Sequence, residues 1–229
     1  MSTTSERLRE ALTWLEREGS ARTREENRTR YAIDPPKSYG VPMAKMQKLA
    51  KQLGTDHALA EALWKSGWYE AQSVAALIDD PELVTAAQME RWAKAWDNWA
   101  VCDTVCFKLF DRVPHAYTKA EQWCGKRAEY VKRGGFVMIA CLALHDKKAG
   151  DEWFLRSLDL IEDGATDERN FVKKGVSWAL RSVGRRNKTL ETASLTLAKR
   201  LAESSSASAK WIGKDAVRDL SRPAAKKRR

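Results

Sequence analysis

Apolar positions recur along the chain at intervals of three and four, the spacing that lines one face of an α-helix. Leu8, Leu12 and Leu15 carry it through a helix predicted over residues 5–18, which Gly19 ends. Asp34-Pro35-Pro36-Lys37-Ser38-Tyr39-Gly40 must be a loop, because its prolines lack amide donors and restrict the residues before them. Pro42 suits a first helical turn, and Met43, Met46, Leu49, Ala50 and Leu53 form the next apolar stripe before Gly54. Residues 56–65 and 68–78 are predicted as a helical hairpin broken at Ser66-Gly67 and ended by Asp79-Asp80-Pro81; residues 85–96 form another helix. No segment alternates with period two over the length of a strand, so the pattern predicts an all-α fold.

The second half repeats itself. Tyr130-Val131-Lys132-Arg133-Gly134 returns 41 residues later as Phe171-Val172-Lys173-Lys174-Gly175, and a weaker copy, Trp211-Ile212-Gly213-Lys214, follows 40 residues after that. Each is an aromatic, a β-branched residue and one or two cations at a helix start. Three unrelated helix starts could look alike by chance, but a period near 40 with two helices per unit predicts a HEAT-like helical-repeat solenoid. In such a stack Arg133, Lys174 and Lys214 are expected to form a row, and its concave groove, lined by lysine and arginine, to fit a phosphate backbone.

Composition sharpens the partner. Among 229 residues, 41 Lys and Arg stand against 31 Asp and Glu, a net charge of +10, and Lys226-Lys227-Arg228-Arg229 supplies four of these charges, leaving +6 on the body. A basic body favours a polyanion. One domain is expected over residues 1–222, with a disordered basic tail at 223–229 that resembles a nuclear localisation patch but reads better as extra phosphate attraction. Cys102, Cys106, Cys124 and Cys141 form no CxxC pair and His57, His115 and His145 do not accompany them as ligands, so reduced core thiols, no metal and no cofactor are expected. No signal peptide or membrane-length apolar run is seen, which predicts a soluble protein in the cytoplasm, at the nucleoid in a bacterium, with no membrane partner; a monomer is expected.

Two anomalies carry candidate chemistry. At about 100° per residue, Trp96, Trp99, Phe107 and Phe110 fall on one side of a helix with Asp103 in their midst. An unpaired carboxylate there would be costly, so Asp103 either caps a helix beginning at Thr104, meets a cation from elsewhere, or awaits a cationic ligand. Asp97, six positions away, lies on another face, so the two do not form a glycosidase pair. In the helix predicted over residues 171–186, Val172, Val176, Ala179 and Val183 make a core face, while Lys174, Trp178, Arg181 and Arg185 share the opposite one. Taken alone, Trp178 reads as packing on a neighbouring helix. A basic aromatic face and a carboxylate among aromatics, taken together, fit a protein that binds nucleic acid and acts on it.

Trp99-x-x-x-Asp103, the Arg133 helix, and Phe171-Val172-Lys173-Lys174-Gly175-Val176-Ser177-Trp178-Ala179-Leu180-Arg181 resemble the AlkD-type DNA alkylation repair family of helical-repeat DNA glycosylases, as does Tyr31 ahead of Gly40-Val41. The resemblance spans about residues 31–220. It implies double-stranded DNA containing alkylated bases as partner and removal of purines alkylated at N3 or N7, without an enclosing base pocket. By resemblance Asp103 is the catalytic aspartate, Trp99 and Trp178 are the groove tryptophans, and Arg133 stands beside the DNA backbone. Family members commonly read Trp-Asp-x-x-Asp, whereas Ala100 follows Trp99 here, so one carboxylate is missing.

The chemistry suits the residues. Alkylation makes the purine cationic, so the glycosidic bond is weakened and no general acid is needed. A carboxylate near the anomeric carbon stabilises the developing oxocarbenium and orients water. Indole faces favour cationic species by about 0.5 to 2 kcal/mol per contact. Arg133, Lys132, Lys173, Lys174, Arg181, Arg185, Lys214 and Tyr31 are the candidate DNA-binding residues. A catalytically silent duplex-binding paralogue, suggested by Ala100, and a protein-binding helical scaffold are the alternatives.

Overall fold

The computed structural model describes residues 3–222, and the expected basic tail at 223–229 lies outside the described residues. Among the described residues all regular structure is helical, as the pattern predicts, and none of the helices is long and apolar enough to cross a membrane. One domain is expected over residues 1–222; the packing divides the chain into two compact units, the first ending at Pro114 and the second starting at His115.

The first unit holds α1 (Thr4–Glu18), α2 (Ala21–Tyr31), α3 (Met43–Leu53), α4 (His57–Lys65), α5 (Tyr69–Ile78), α6 (Ala86–Lys94), α7 (Trp99–Lys108) and a 3₁₀ turn (Phe110–Arg112). Start signals are side chains that accept orphan amides: Thr3 and Glu6 form a capping box on α1, and Asp56 and Thr85 cap α4 and α6. α5 is the centre, packed by α1, α3, α4 and α7 and buried on nearly every side. Its small Ala71, Ala75 and Ala76 let those helices approach. Beside it Trp64 stacks on Trp92, ring centroids 4.0 Å apart, and Phe110 meets both Trp92 and Trp96.

The predicted loop at 34–40 is held from below. Glu70, on the first turn of α5 and wholly buried, accepts hydrogen bonds from the amides of Tyr39 (3.0 Å), Gly40 (2.7 Å) and Val41 (3.2 Å) and from the Ser38 hydroxyl (2.7 Å). Gly40 has φ +78°, and a Cβ there would sit 2.2 Å from the Ser20 carbonyl oxygen, so only glycine fits. Through this contact the loop seats α2: the Ser20 amide donates to the Tyr39 carbonyl at 2.9 Å, while the Ser20 hydroxyl caps α2 at Thr23. No residue of α2 is buried, which is why no apolar period announces it.

The second unit holds α8 (Ala116–Cys124), α9 (Glu129–His145), α10 (Asp151–Gly164), α11 (Asn170–Gly184), α12 (Lys188–Ala202) and α13 (Ala207–Leu220). They pack as pairs, α8 on α9, α10 on α11 and α12 on α13, with α9, α11 and α13 side by side in one layer and α8, α10 and α12 in the other. Tyr130 and Phe171 stand at the second positions of α9 and α11, and Trp211 stands one turn inside α13, so the predicted repeat is structural. Glycines set the close crossings: a Cβ on Gly135 would lie 2.4 Å from the Cys124 amide, and one on Gly213 2.3 Å from that of Ala202. Val172, Val176, Ala179 and Val183 are buried as predicted, and burial extends to Leu180, Ser182 and Gly184 because α9 and α13 flank α11. The four cysteines are free and buried, matching their reading as core residues.

Asp167 ties two repeats together. It accepts from Lys132 at 3.0 Å and from the Arg169 guanidinium at 2.9 and 2.7 Å. The Arg169 hydrogen bonds, then Lys132, hold its carboxyl well below the usual carboxylate range against an opposing effect of burial. A depressed acid stabilises the folded state above its unfolded value and loses that contribution as pH falls. Asp167→Asn is therefore expected to lower unfolding free energy by about 2 to 3 kcal/mol near neutral pH, with the deficit shrinking below about pH 4. Urea unfolding of both proteins across that range measures it.

Candidate functional site

In the first unit the site is built on α7. Buried Asn98 starts the helix, its side-chain oxygen accepting from the amides of Ala100 and Val101, both at 3.0 Å. Asp103 therefore lies inside α7 and caps nothing at Thr104, which removes that reading of its presence among aromatics. Val101, Cys102, Val105 and Cys106 face the core, while Trp99, Asp103 and Phe107, each four residues after the last, share a half-exposed stripe. The expected ring of aromatics is smaller than the sequence suggests. Trp96 precedes α7 and Phe110 belongs to the 3₁₀ turn; both are buried, their rings 6.3 Å apart. Ala100 is also buried, at 8% exposure, so a carboxylate in its place would be desolvated.

Tyr31 and Trp99, far apart in sequence, come together. The Trp99 indole N–H donates to the Tyr31 carbonyl at 2.8 Å, closing the last turn of α2 just before Ala32 adopts a left-handed conformation at φ 52°. The Tyr31 ring is exposed, with the Arg30 guanidinium 5.7 Å from its centroid. Sequence reasoning had Tyr31 by resemblance alone and missed the helix that carries it.

In the second unit the candidate cations divide. Arg133 is buried, its guanidinium donating to the Phe171 carbonyl at 2.6 Å, whereas Lys174 and Lys214 are exposed, so the expected row of three is broken at its first place. Lys132 is paired with Asp167, and the Lys173 ammonium lies 5.1 Å from the Trp211 ring centroid. Arg181 reaches Asp215 at 3.4 Å and Arg185 reaches Asp219 at 3.3 Å, both acids on α13, so these two arginines lean onto the next helix while Lys174 on the same side stays exposed. Trp178, half-buried, lies between Lys174 and Arg181 on α11. A phosphate would meet Lys174 and Lys214 exposed, whereas Arg181 and Arg185 would first have to leave their carboxylates.

A model of the family described as DNA alkylation repair enzyme matches residues 11–220. The chain belongs to this DNA alkylation repair family. The match runs from within α1 to the last residue of α13 and so takes in every candidate position from Tyr31 to Lys214. No curated protein sequence matches. A solved structure described as a new family of proteins related to the HEAT-like repeat DNA glycosylases, with affinity for branched DNA structures, superposes with TM-score 0.75 over 92% of this chain and 94% of its own at 20% identity. At that identity the likeness establishes the fold: the DNA alkylation repair chain has the HEAT-like repeat architecture that its 41-residue period predicts.

Proposed function

We propose that the chain is a monofunctional DNA glycosylase that excises purines made cationic by alkylation at N3 or N7 from duplex DNA. The observation that carries this reading is Asp103 on the half-exposed face of α7, one helical turn from Trp99, in a member of a DNA alkylation repair family. In this reading the Asp103 carboxylate stabilises the oxocarbenium as the neutral purine departs with the bond pair, and orients the water that adds to the anomeric carbon. Trp99 lies against the deoxyribose with its ring direction set by the Tyr31 carbonyl. Trp178 in the second unit is the second DNA-contacting tryptophan of this reading, and Lys173, Lys174 and Lys214 hold phosphates, helped by Arg181, Arg185 and Tyr31, while Lys132 and Arg133 support that surface through Asp167 and the Phe171 carbonyl. The protein acts as a monomer in the cytoplasm, at the nucleoid in a bacterium.

A catalytically silent DNA-binding protein is the second reading. It is favoured by Ala100 and by the affinity for branched DNA attributed to the structural neighbour. Incubating the protein with duplex DNA treated with a methylating agent, then resolving free bases by chromatography, separates the two. Release of 7-methylguanine or 3-methyladenine is expected; binding without release establishes the second reading.

A further inference from the structure

One face of α13 carries a feature that base excision leaves unused. Trp211 keeps 41% of its surface exposed, one of four large apolar side chains so exposed among the described residues. On a helix, Lys210, Trp211, Lys214 and Arg218 fall within an arc of about 100°, and all four are exposed. The Lys173 ammonium approaches the same ring from α11, 5.1 Å from its centroid. Beside this stripe, a cleft of about 540 Å³ between α12 and α13 is lined by Lys199, Ala202, Glu203, Lys214, Val217 and Arg218, so three cations and one acid rim an apolar floor.

A single exposed hydrophobe needs no explanation, but one surrounded by ammonium groups is a different surface. An acidic peptide would be served by the lysines and would leave the indole with nothing to do. A duplex keeps its base faces stacked on one another and offers a surface ring only phosphates and groove edges. An unpaired strand offers both things this surface can take: a base whose π-face stacks on an aromatic ring, and phosphates that meet the flanking cations whatever the sequence. We propose that the Trp211 face of α13, with Lys173, is a landing site for an unpaired DNA strand.

This inference rests on the DNA-binding part of the proposed function and is independent of base release. Fluorescence anisotropy at low salt would compare the full chain on a blunt duplex, the same duplex carrying a single-stranded tail, and oligo(dT). Wild type is expected to bind the tailed duplex more tightly than the blunt one. Trp211→Ala should lose about tenfold on the tailed duplex and on oligo(dT), the usual effect of removing one stacking ring, with blunt-duplex affinity unchanged. Trp211→Phe should recover most of the loss, and unchanged circular dichroism would show that the fold survives. Equal affinity of wild type for tailed and blunt DNA, or a folded Trp211→Ala protein that holds the tail as tightly as wild type, overturns the proposal. So does displacement of oligo(dT) by polyglutamate that matches its charge and is indifferent to Trp211. Failure to bind any DNA would sink the proposed function as well, whereas binding without base release would leave this inference standing.

Discussion

Asp103→Asn is expected to cut release of 7-methylguanine by about a hundred- to a thousandfold, the effect of losing one preorganised electrostatic group at a developing charge, while duplex affinity stays within about twofold. The substitution keeps the shape of the side chain and its place on α7, where Asn98 rather than Asp103 starts the helix. What it removes is the negative charge. An amide dipole stabilises an oxocarbenium poorly and orients water less well, whereas ground-state binding depends mainly on phosphates and cations elsewhere. Single-turnover base release, with binding measured in parallel, reads the two effects separately. A folded, DNA-binding Asp103→Asn protein that released the base at the wild-type rate would remove Asp103 from the chemistry.

Glu70→Ala is expected to destabilise the first unit by about 3 to 5 kcal/mol, because truncation leaves a set of buried donors without their acceptor. The amides of Tyr39, Gly40 and Val41 converge on that carboxylate. Their backbone cannot swing to water without pulling Gly40 from its close approach to Ser20 and separating Tyr39 from Trp68, whose rings stack at 3.8 Å. Against a typical domain stability of about 5 to 15 kcal/mol the loss is large. Urea unfolding would record it, and Glu70→Gln should be milder, since one oxygen survives although its amide group confronts a donor. A midpoint unchanged in Glu70→Ala would show that the loop does not depend on this acceptor.

Much of the fold was legible because its helices are amphipathic and its repeats are spaced by a fixed number of residues. The stripe of Met43, Met46, Leu49, Ala50 and Leu53 became α3, and the copies at Tyr130, Phe171 and Trp211 became α9, α11 and α13. What escaped is what hydrophobic period does not encode. α2 buries nothing and is assembled from its caps and from its neighbours, so no pattern marks it. The side of α11 that carries Arg181 and Arg185 reads as a basic face for nucleic acid because cations recur on it, yet it meets Asp215 and Asp219 of the next repeat. Trp96 and Phe110 align with Asp103 on an ideal helix, but Asn98 starts α7 after the first and the chain tightens to a 3₁₀ turn before the second. Arg133 occupies the position of Lys174 and Lys214 in the repeat; packing against Gly175 and the Phe171 carbonyl draws it inward.

The way α2 is held has a further consequence. It is fastened at Ser20 and at the Tyr31 carbonyl, and between them only Arg24 reaches the loop, donating to the Ser38 carbonyl at 3.4 Å, so most of its side chains are free while its length is fixed. Exchanging Arg22, Glu26 or Thr29 for other helix formers should pass almost unnoticed. Inserting or deleting a single residue would turn the far carbonyl by about 100° and shift it about 1.5 Å, taking it out of reach of the Trp99 indole. Relatives that share this arrangement should accordingly vary in the composition of the segment and keep its residue count.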